Sequence, residues 1–210
     1  MAVLRTFRYV PARPYFDEIL RTEMLPELVT KPGLVDCYLG RQGPDLADRR
    51  IVATVWDSRA AMVDALGEDL GTFHPEYLDA TTDHHLEIAE LALCLRPGGP
   101  RPTILRTLRG TAHPGELERY FENVTSGVTL DVAAGHGPSA FYAAPVGGDA
   151  FVTLSAWAEW SAIEAATGGD VRRPSATRHP ERLASWDVEH WEIVHGDDVR
   201  AQPRVPAAIP

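Results

Sequence analysis

The sequence is poor in cysteine and contains no long apolar run. Cys37 and Cys94 are the only two cysteines among 210 residues, and each lies within an apolar, strand-like stretch. We therefore expect buried, reduced thiols rather than a disulfide framework. No run approaches the length of a membrane span, and the first residues lack the apolar segment of a signal peptide. These absences predict a cytoplasmic protein that does not bind membranes.

Positive charge is also scarce. The chain has 20 Lys and Arg residues against 30 Asp and Glu residues, a formal net charge of −10, so it should repel nucleic acids. It lacks a Walker loop, a Gly-x-Gly-x-x-Gly motif, a Gly-x-Ser-x-Gly elbow and a Cys/His zinc pattern. Nucleotide-dependent enzymes, serine hydrolases and metal sites are therefore disfavoured. With 44% hydrophobic residues, the chain can still build a folded core.

The strongest positive signal is an internal repeat. An offset of 101 places residues 4–8 over residues 105–109 with four identities in five positions, and it places Trp56 over Trp157. An offset of 105 places residues 74–88 over residues 179–193 with seven identities in fifteen positions. Chance from average composition would give about one identity in that second segment. The chain is therefore predicted to be a tandem duplication.

Each copy shows the same order of predicted elements, strand-helix-strand-strand-helix-strand. Alternating residues predict strands, and Ser58 is a predicted helix N-cap. In the first copy we predict strands over 3–9, 34–41, 50–56 and 84–95, helices over 14–30 and 58–66, and a helical turn over 75–80. In the second copy we predict strands over 103–111, 138–144, 150–156 and 189–194, and helices over 114–133 and 160–167.

Proline and glycine divide the chain. Residues 97–102, Pro-Gly-Gly-Pro-Arg-Pro, cannot hold a helix or a sheet ladder and are predicted to be a linker. The predicted domains are therefore 1–96 and 103–196, followed by a tail over 197–210. A βαββαβ unit leaves one sheet face bare, and a second copy could cover it. The predicted fold class is α+β: two tandem ferredoxin-like domains that form an intramolecular, pseudo-dimeric α+β barrel, with no partner chain needed.

Several short segments occur in the order and spacing of a known family. They are Gly33-Leu34-Val35 and Gly137-Pro138-Ser139 before the second strands, residues 51–58, and Phe73-His74-Pro75-Glu76 before the final strand. In these segments the chain resembles the dimeric α+β barrel superfamily, and within it the antibiotic biosynthesis monooxygenase (ABM) group. The resemblance implies a pocket in each half between the sheet and its helices. It also implies the activities of relatives, which oxygenate phenolic polyketides without a cofactor, degrade haem or isomerise lactones.

Histidines are the first candidates for chemistry. His74 and His179 occupy the same place in the two copies, where haem-degrading relatives carry their axial ligand. Those relatives also have a tryptophan ten residues earlier, where this chain has Asp64 and Gly169. Local hydrogen bonding is the alternative role. Two further histidines each stand two residues before a glutamate on the last strands, an arrangement that suits proton transfer or an ion pair holding the halves together: His85 with Glu87, and His190 with Glu192.

Aromatic and basic residues complete the candidate sites. Trp56 and Trp157 could stack on a planar substrate or fill the core. Arginines on the first strands, in the pairs Arg5/Arg106 and Arg8/Arg109, could bind a phenolate or carboxylate or form ion pairs. The first copy adds aromatic residues that the second lacks, whereas the second adds Trp160, Trp186 and Trp191. We therefore expect the functional pocket in the first copy. The candidate catalytic residues are His74, His85, Glu87, Tyr9 and Trp56 of the first copy. The candidate binding residues are Arg8, Tyr38, Phe73 and Tyr77 of the first copy with His179 and His190 of the second.

The expected function is a cofactor-independent monooxygenase, an oxidoreductase acting on a small aromatic or polyketide-like molecule. One alternative is a haem-binding or haem-processing protein, with haem as the cofactor. A second alternative is a barrel that binds a ligand without catalysis. Because the duplication supplies both sheets, we expect a monomer with an internal pseudo-two-fold axis.

Overall fold

Alternating apolar and polar residues produce nine strands in the part of the chain that a computed structural model describes, residues 1–13, 15–42, 48–67 and 79–194. The chain divides into two compact units: Met1–Ile88 together with Val194, and Ala89–Ile193. The division falls within the fourth strand. It precedes the Pro97–Pro102 segment, which forms neither helix nor strand. Among the described residues, no helix is long and apolar enough to cross a membrane.

The first unit has the sheet order β4-β1-β3-β2. Its strands are β1 (Val3–Pro11), β2 (Leu34–Arg41), β3 (Arg50–Trp56) and β4 (Thr81–Glu90), which runs to the end of the unit and two residues beyond. Its helices are α1 (Tyr15–Ile19), α2 (Leu25–Leu28) and α3 (Arg59–Leu66), and a π-helical turn, Leu20–Met24, joins α1 to α2. Ser58 caps α3 as predicted, because its hydroxyl accepts a hydrogen bond from the Ala61 N–H.

Both helical segments of the first unit cover the same face of the sheet. Phe7 and Tyr9 of β1 pack with Phe16 and Leu20, and Val3 packs with Trp56 and with Met62 of α3. Odd-numbered residues of β1 therefore face the helices, and even-numbered residues face the opposite side. We call the face of each sheet that packs against the helices its helix side. This arrangement is the predicted ferredoxin-like one.

The second unit has the sheet order β9-β6-β8-β7-β5. Its strands are β5 (Leu93–Leu95), β6 (Ile104–Ala112), β7 (Ala140–Gly147), β8 (Ala150–Trp157) and β9 (Leu183–Ile193). Its helices are α4 (Leu117–Ala133) and α5 (Trp160–Thr167), and two 3₁₀ turns, Ala176–Arg178 and Pro180–Arg182, lead into β9. Apolar residues of α4 pack on Leu108 and Ala112, whereas Ile163 of α5 packs on Ile104 and Trp157.

Four predicted elements differ from those observed. The single helix predicted over 14–30 is divided into α1, the π-helical turn and α2. The predicted strand 84–95 is two strands, because β4 ends at Glu90 and Leu93–Leu95 pairs with β7. The helix predicted over 114–133 begins at Leu117, because residues 113–116 form a turn in which the Glu116 N–H bonds to the His113 carbonyl. The last strand, predicted over 189–194, begins at Leu183 and pairs along the whole of β6. The other predicted strands and α5 lie within a few residues of their predicted bounds, as expected for strongly patterned segments.

Candidate functional site

A buried arginine stands at the centre of the helix side of the second unit. Arg106 of β6 is in register with Ser155 of β8 and with His190 of β9. It lies on the same face as Ile104 and Leu108, which contact the helices. Only 2% of Arg106 is exposed. One of its terminal nitrogens, Nη2, donates hydrogen bonds to the carbonyls of Arg173 at 2.6 Å and Val171 at 3.4 Å.

A second buried arginine approaches from the loop between α5 and β9. Arg178 Nη2 donates to Asp131 Oδ2 at 3.2 Å, and its guanidinium carbon lies 4.8 Å from the centre of the Phe141 ring. Asp131, fully buried on α4, also accepts hydrogen bonds at 3.1 Å from the hydroxyls of Ser175 and Thr177. These contacts hold the 175–178 segment against α4.

Gly127 permits the close approach between the loop and α4. A Cβ at this position would lie 2.7 Å from the Thr177 carbonyl oxygen and 2.9 Å from Cγ of Arg178. Any side chain would therefore push the loop away from the helix. Gly127 and Asp131 lie one turn apart on α4. Together they hold Arg178 over the sheet.

The two arginines and a tyrosine perturb one another. Burial, followed by the charge of Arg178, lowers the pKa of Arg106 to about 9. Burial lowers the pKa of Arg178 as well, against the charge of Asp131. Tyr120 of α4 is buried, and this raises its pKa to about 12 despite the two nearby arginines. At neutral pH both guanidinium groups carry their charge and the phenol is protonated.

A histidine and two indoles lie at the outer part of this cluster. His190 is partly buried, and its Nε2 is enclosed without a hydrogen-bond partner among the described residues. Burial, the charge of Arg106 and the charge of Arg172 lower the pKa of His190 to about 4, so its imidazole is neutral at physiological pH. The Trp160 ring centre lies 4.9 Å from that of His190. Trp160 and Trp186 are 44% and 37% exposed.

This second-unit cluster comprises Arg106, Tyr120, Asp131, Trp160, Arg178, Trp186 and His190. It combines a neutral proton acceptor, two guanidinium groups that can stabilise an oxyanion, and indole faces that can stack on a planar molecule. Trp186 Nε1 donates to the Arg172 carbonyl at 3.2 Å. The 171–173 segment, whose other carbonyls accept from Arg106, is therefore also bound by Trp186. Among the described residues, in this cluster or elsewhere, no three His, Cys, Asp or Glu side chains lie together in a group that could hold a metal ion.

The residues predicted for the first copy are not brought together on one face. Tyr9 is buried on the helix side, where its hydroxyl donates to Asp17 Oδ1 at 3.3 Å and burial raises its pKa. Trp56 is fully buried in the core, and its Nε1 donates to Thr54 Oγ1 at 3.0 Å. Arg8 and Tyr38 lie on the opposite side of the sheet, as their register with β3 shows.

The alignment of His85 with His190 does not hold in the structure. Leu86 and Ile88 pack against the helix-side clusters of the first unit, so His85 and Glu87 face the opposite side. His190, in contrast, is on the helix side of its sheet. The strands are irregular near their beginnings, where Asp83 has a φ of 47° and β9 shifts register at Thr111/Ala112. A slip of one residue is enough to turn every side chain to the other face.

The last predicted site residues are Phe73, His74, Tyr77 and His179. Phe73, His74 and Tyr77 lie outside the described residues. His179 lies between the two 3₁₀ turns with a φ of 53°, and its Nδ1 is 2.8 Å from Glu181 Oε1. Its side chain is 53% exposed. It is therefore separate from the buried cluster, although it directly follows Arg178.

Sequence analysis missed most of the second-unit cluster. It named Arg106, His190 and the added Trp160 and Trp186, but it expected the functional pocket in the first copy, and it did not identify Asp131, Tyr120 or Arg178. Asp131 and Arg178 are 47 positions apart, and no pattern in a single sequence joins them. A usable signal was the alternation on β6, which places Arg106 among apolar residues that face the helices.

No family model matches the chain, and no curated protein sequence matches it significantly. Solved structures do share its fold over both units. A candidate monooxygenase from Lactobacillus acidophilus NCFM has a TM-score of 0.72 and 10% identity, covering 91% of this chain and 93% of its own. An anthrone oxidase-like protein has a TM-score of 0.60 and 15% identity, with 92% of each chain covered.

A third solved structure connects the fold to the family of the sequence resemblance. This protein from Listeria monocytogenes is described as an uncharacterised ferredoxin-fold protein related to antibiotic biosynthesis monooxygenases. It has a TM-score of 0.54 and 7% identity, covering 93% of this chain and 96% of its own. The chain therefore shares the α+β fold of these proteins. The resemblance stated from sequence motifs is confirmed at the level of fold.

Proposed function

We propose that this protein is a cofactor-independent monooxygenase of the ABM type that acts on a small aromatic or polyketide-like compound at the second-unit cluster. The observation that carries the proposal is the neutral imidazole of His190, in register with the buried guanidinium of Arg106 and beside an exposed indole. The similarity to an anthrone oxidase-like protein supports the same substrate class.

The cluster has the groups that such a reaction requires. The neutral imidazole of His190 accepts a proton from an acidic CH₂ group of the substrate, and Arg106 stabilises the enolate oxygen that results. The substrate carbanion then supplies the electrons that reduce dioxygen, and a C–O bond forms at that carbon. Loss of water from the substrate hydroperoxide leaves a carbonyl. The sum is CH₂ + O₂ → C=O + H₂O, so the substrate is the only reductant.

The proposal is tested with anthrone as the probe, by measuring oxygen uptake and anthraquinone formation above the rate without protein. His190→Gln should lower kcat/KM by about 100-fold or more, the usual contribution of a positioned proton acceptor. His113→Ala is the matched control, because His113 is an exposed histidine of the same unit. Its turnover should equal that of the wild type.

Two results would contradict the proposal. Equal turnover in His190→Gln and the wild type would exclude His190 as the proton acceptor. Tight binding of anthrone without any oxygen uptake would instead support a ligand-binding protein without catalysis. Melting curves of both variants, followed by circular dichroism, are needed so that lost folding is not taken for lost chemistry.

Haem binding is a second candidate function, and one observation favours it. The Glu181 carboxylate is in hydrogen-bond contact with Nδ1 of His179. Nε2 lies on the other edge of this exposed imidazole ring. A carboxylate of this kind orients histidines that bind metals, and one imidazole is sufficient for axial ligation. Titration with haemin should then give a Soret band that His179→Ala removes. A spectrum unchanged by that substitution would exclude His179 as the ligand.

A further inference from the structure

Positive charge exceeds negative charge in the interior of the second unit. Arg106 and Arg178 are each only 2% exposed, and Asp131 is the carboxylate that pairs with Arg178. That carboxylate is already engaged by Arg178 and two hydroxyl groups. Arg106 donates to backbone carbonyls and has no carboxylate partner among the described residues. The cluster therefore holds an uncompensated positive charge, which is costly to bury.

The guanidinium groups also have unused donors. The Nε atoms of Arg106 and Arg178 are buried without a hydrogen-bond partner in the described part of the chain. A buried N–H that forms no hydrogen bond costs free energy, so such groups are rare in proteins, and a bound ion is one of the explanations for them. The two atoms belong to two like-charged side chains that perturb each other, and an anionic oxygen within reach of both would accept from both.

We propose that Arg106 and Arg178 form a subsite for the anionic group of a planar aromatic ligand, a carboxylate or an ionised enol or phenol. The inference rests on the proposed function only in taking the ligand to be the substrate. The chemistry of the anion follows from the donors, because guanidinium groups bind the oxygens of carboxylates and enolates in paired hydrogen bonds.

The aromatic part of the ligand is inferred from the side chains around the arginines. Phe141 lies beneath Arg178, and the Trp157 ring centre is 6.0 Å from the same guanidinium. Toward solvent, His190 separates Arg106 from Trp160, and Trp186 lies on the same face of β9 as His190. A ring that enters over His190 would meet an indole before its anionic group reaches Arg106.

The subsite is tested by comparing ligands that differ in charge but hardly in shape. Binding of benzoate and 2-naphthoate, and of the corresponding amides, is measured by isothermal titration calorimetry. The wild type should bind each carboxylate at least about tenfold more tightly than its amide, as a charged hydrogen bond predicts. Arg106→Met should bring this ratio close to one, whereas Arg106→Lys should retain part of it.

Two further variants keep the test independent of folding. The double substitution Arg178→Met with Asp131→Asn removes the second guanidinium without leaving a buried carboxylate unpaired, and it should also reduce the ratio. Arg119→Met removes an exposed arginine of α4, 69% of whose side chain is accessible, and it should leave the ratio unchanged. Melting curves identify any variant that has lost its fold.

The subsite would be excluded if the wild type bound neither carboxylate, if it bound carboxylate and amide equally, or if Arg106→Met retained the wild-type ratio in a folded protein. Failure of the proposed function gives a different pattern. A preference for carboxylates that depends on Arg106, without any turnover of anthrone, would preserve the subsite and exclude the oxygenase. Turnover that depends on His190 without a charge preference would exclude the subsite alone.

Discussion

Replacement of Asp131 by asparagine should destabilise the second unit strongly. Asp131 is fully buried, and it pairs with Arg178 Nη2 at 3.2 Å. Asparagine keeps the shape, but Ser175 and Thr177 donate to different oxygens of Asp131 and the amide has only one. The substitution therefore removes the charge and one of these two hydrogen bonds. Arg178 would then be a buried cation without a counterion beside Arg106. Breaking a buried pair in this way costs about 3–5 kcal/mol.

Thermal and chemical unfolding measure this cost. If the 210-residue chain unfolds as one cooperative unit, 1 kcal/mol corresponds to about 2–4 °C, so the melting temperature should fall by about 6–20 °C. Tryptophan fluorescence reports chiefly on the second unit, because four of the five tryptophans lie there, at 157, 160, 186 and 191. The assay therefore follows the affected unit even if the two units unfold separately.

A second substitution that should restore stability, and a control at an exposed position, show whether the loss comes from the buried ion pair. Adding Arg178→Met to Asp131→Asn should restore much of the lost stability, since replacing a buried ion pair by apolar groups is often neutral. Asp187→Asn, at an exposed position of β9, should change stability by less than about 0.5 kcal/mol. A loss below about 1 kcal/mol for Asp131→Asn would refute the reasoning, because Arg178 would then not depend on its carboxylate.

Two further predictions follow from the same cluster. The lowered pKa of His190, about 4, means that the unfolded chain binds a proton near pH 6.5 and the folded chain does not. Stability should fall as the pH is lowered from about 6.5 to about 4. The free energy of unfolding, measured against pH, should depend on pH less steeply in His190→Gln than in the wild type. An equal dependence in the two proteins would contradict the lowered pKa of His190. Gly127→Ala should destabilise the protein although alanine favours helices, because its Cβ would lie 2.7 Å from the Thr177 carbonyl oxygen. Ser126→Ala, on the exposed side of the same helix, is its control, and a more stable Gly127→Ala protein would show that the 175–178 loop is free to move away.

The fold was largely predictable because local patterns and the repeat agree. Ser58 caps a helix as its position before an apolar run suggested. The equivalence of Trp56 and Trp157 extends to hydrogen bonding, since each indole donates to a hydroxyl two residues earlier. The break between β4 and β5 was not predictable, because apolar residues continue across it and only the pairing of Leu93–Leu95 with β7 separates them. Domain boundaries and the monomeric state remain predictions.

The candidate site was less predictable, because its residues come from distant segments. Arg106 lies on a strand, Asp131 on a helix and Arg178 in a loop, and only packing brings them together. The change of offset from 101 to 105 between the two matched segments implies about four extra residues in the second copy, which the stretch 171–178 accommodates as a loop. In the structure this stretch supplies Arg178, and its carbonyls bind Arg106. Loops often carry functional groups that no periodic pattern reveals.

The histidines show why a repeat does not transfer function from one copy to the other. Aligned sequences place His85 over His190, yet the helix side of the first sheet carries Leu86 and that of the second carries His190 in register with Arg106. Arg5 and Arg106 do occupy equivalent places and are both buried. Burial lowers the pKa of Arg5 to about 10, and the Cys37 side chain opposes this effect. Two copies of one fold can therefore share a guanidinium at the same strand position, while a one-residue difference in register decides which copy places an imidazole beside it.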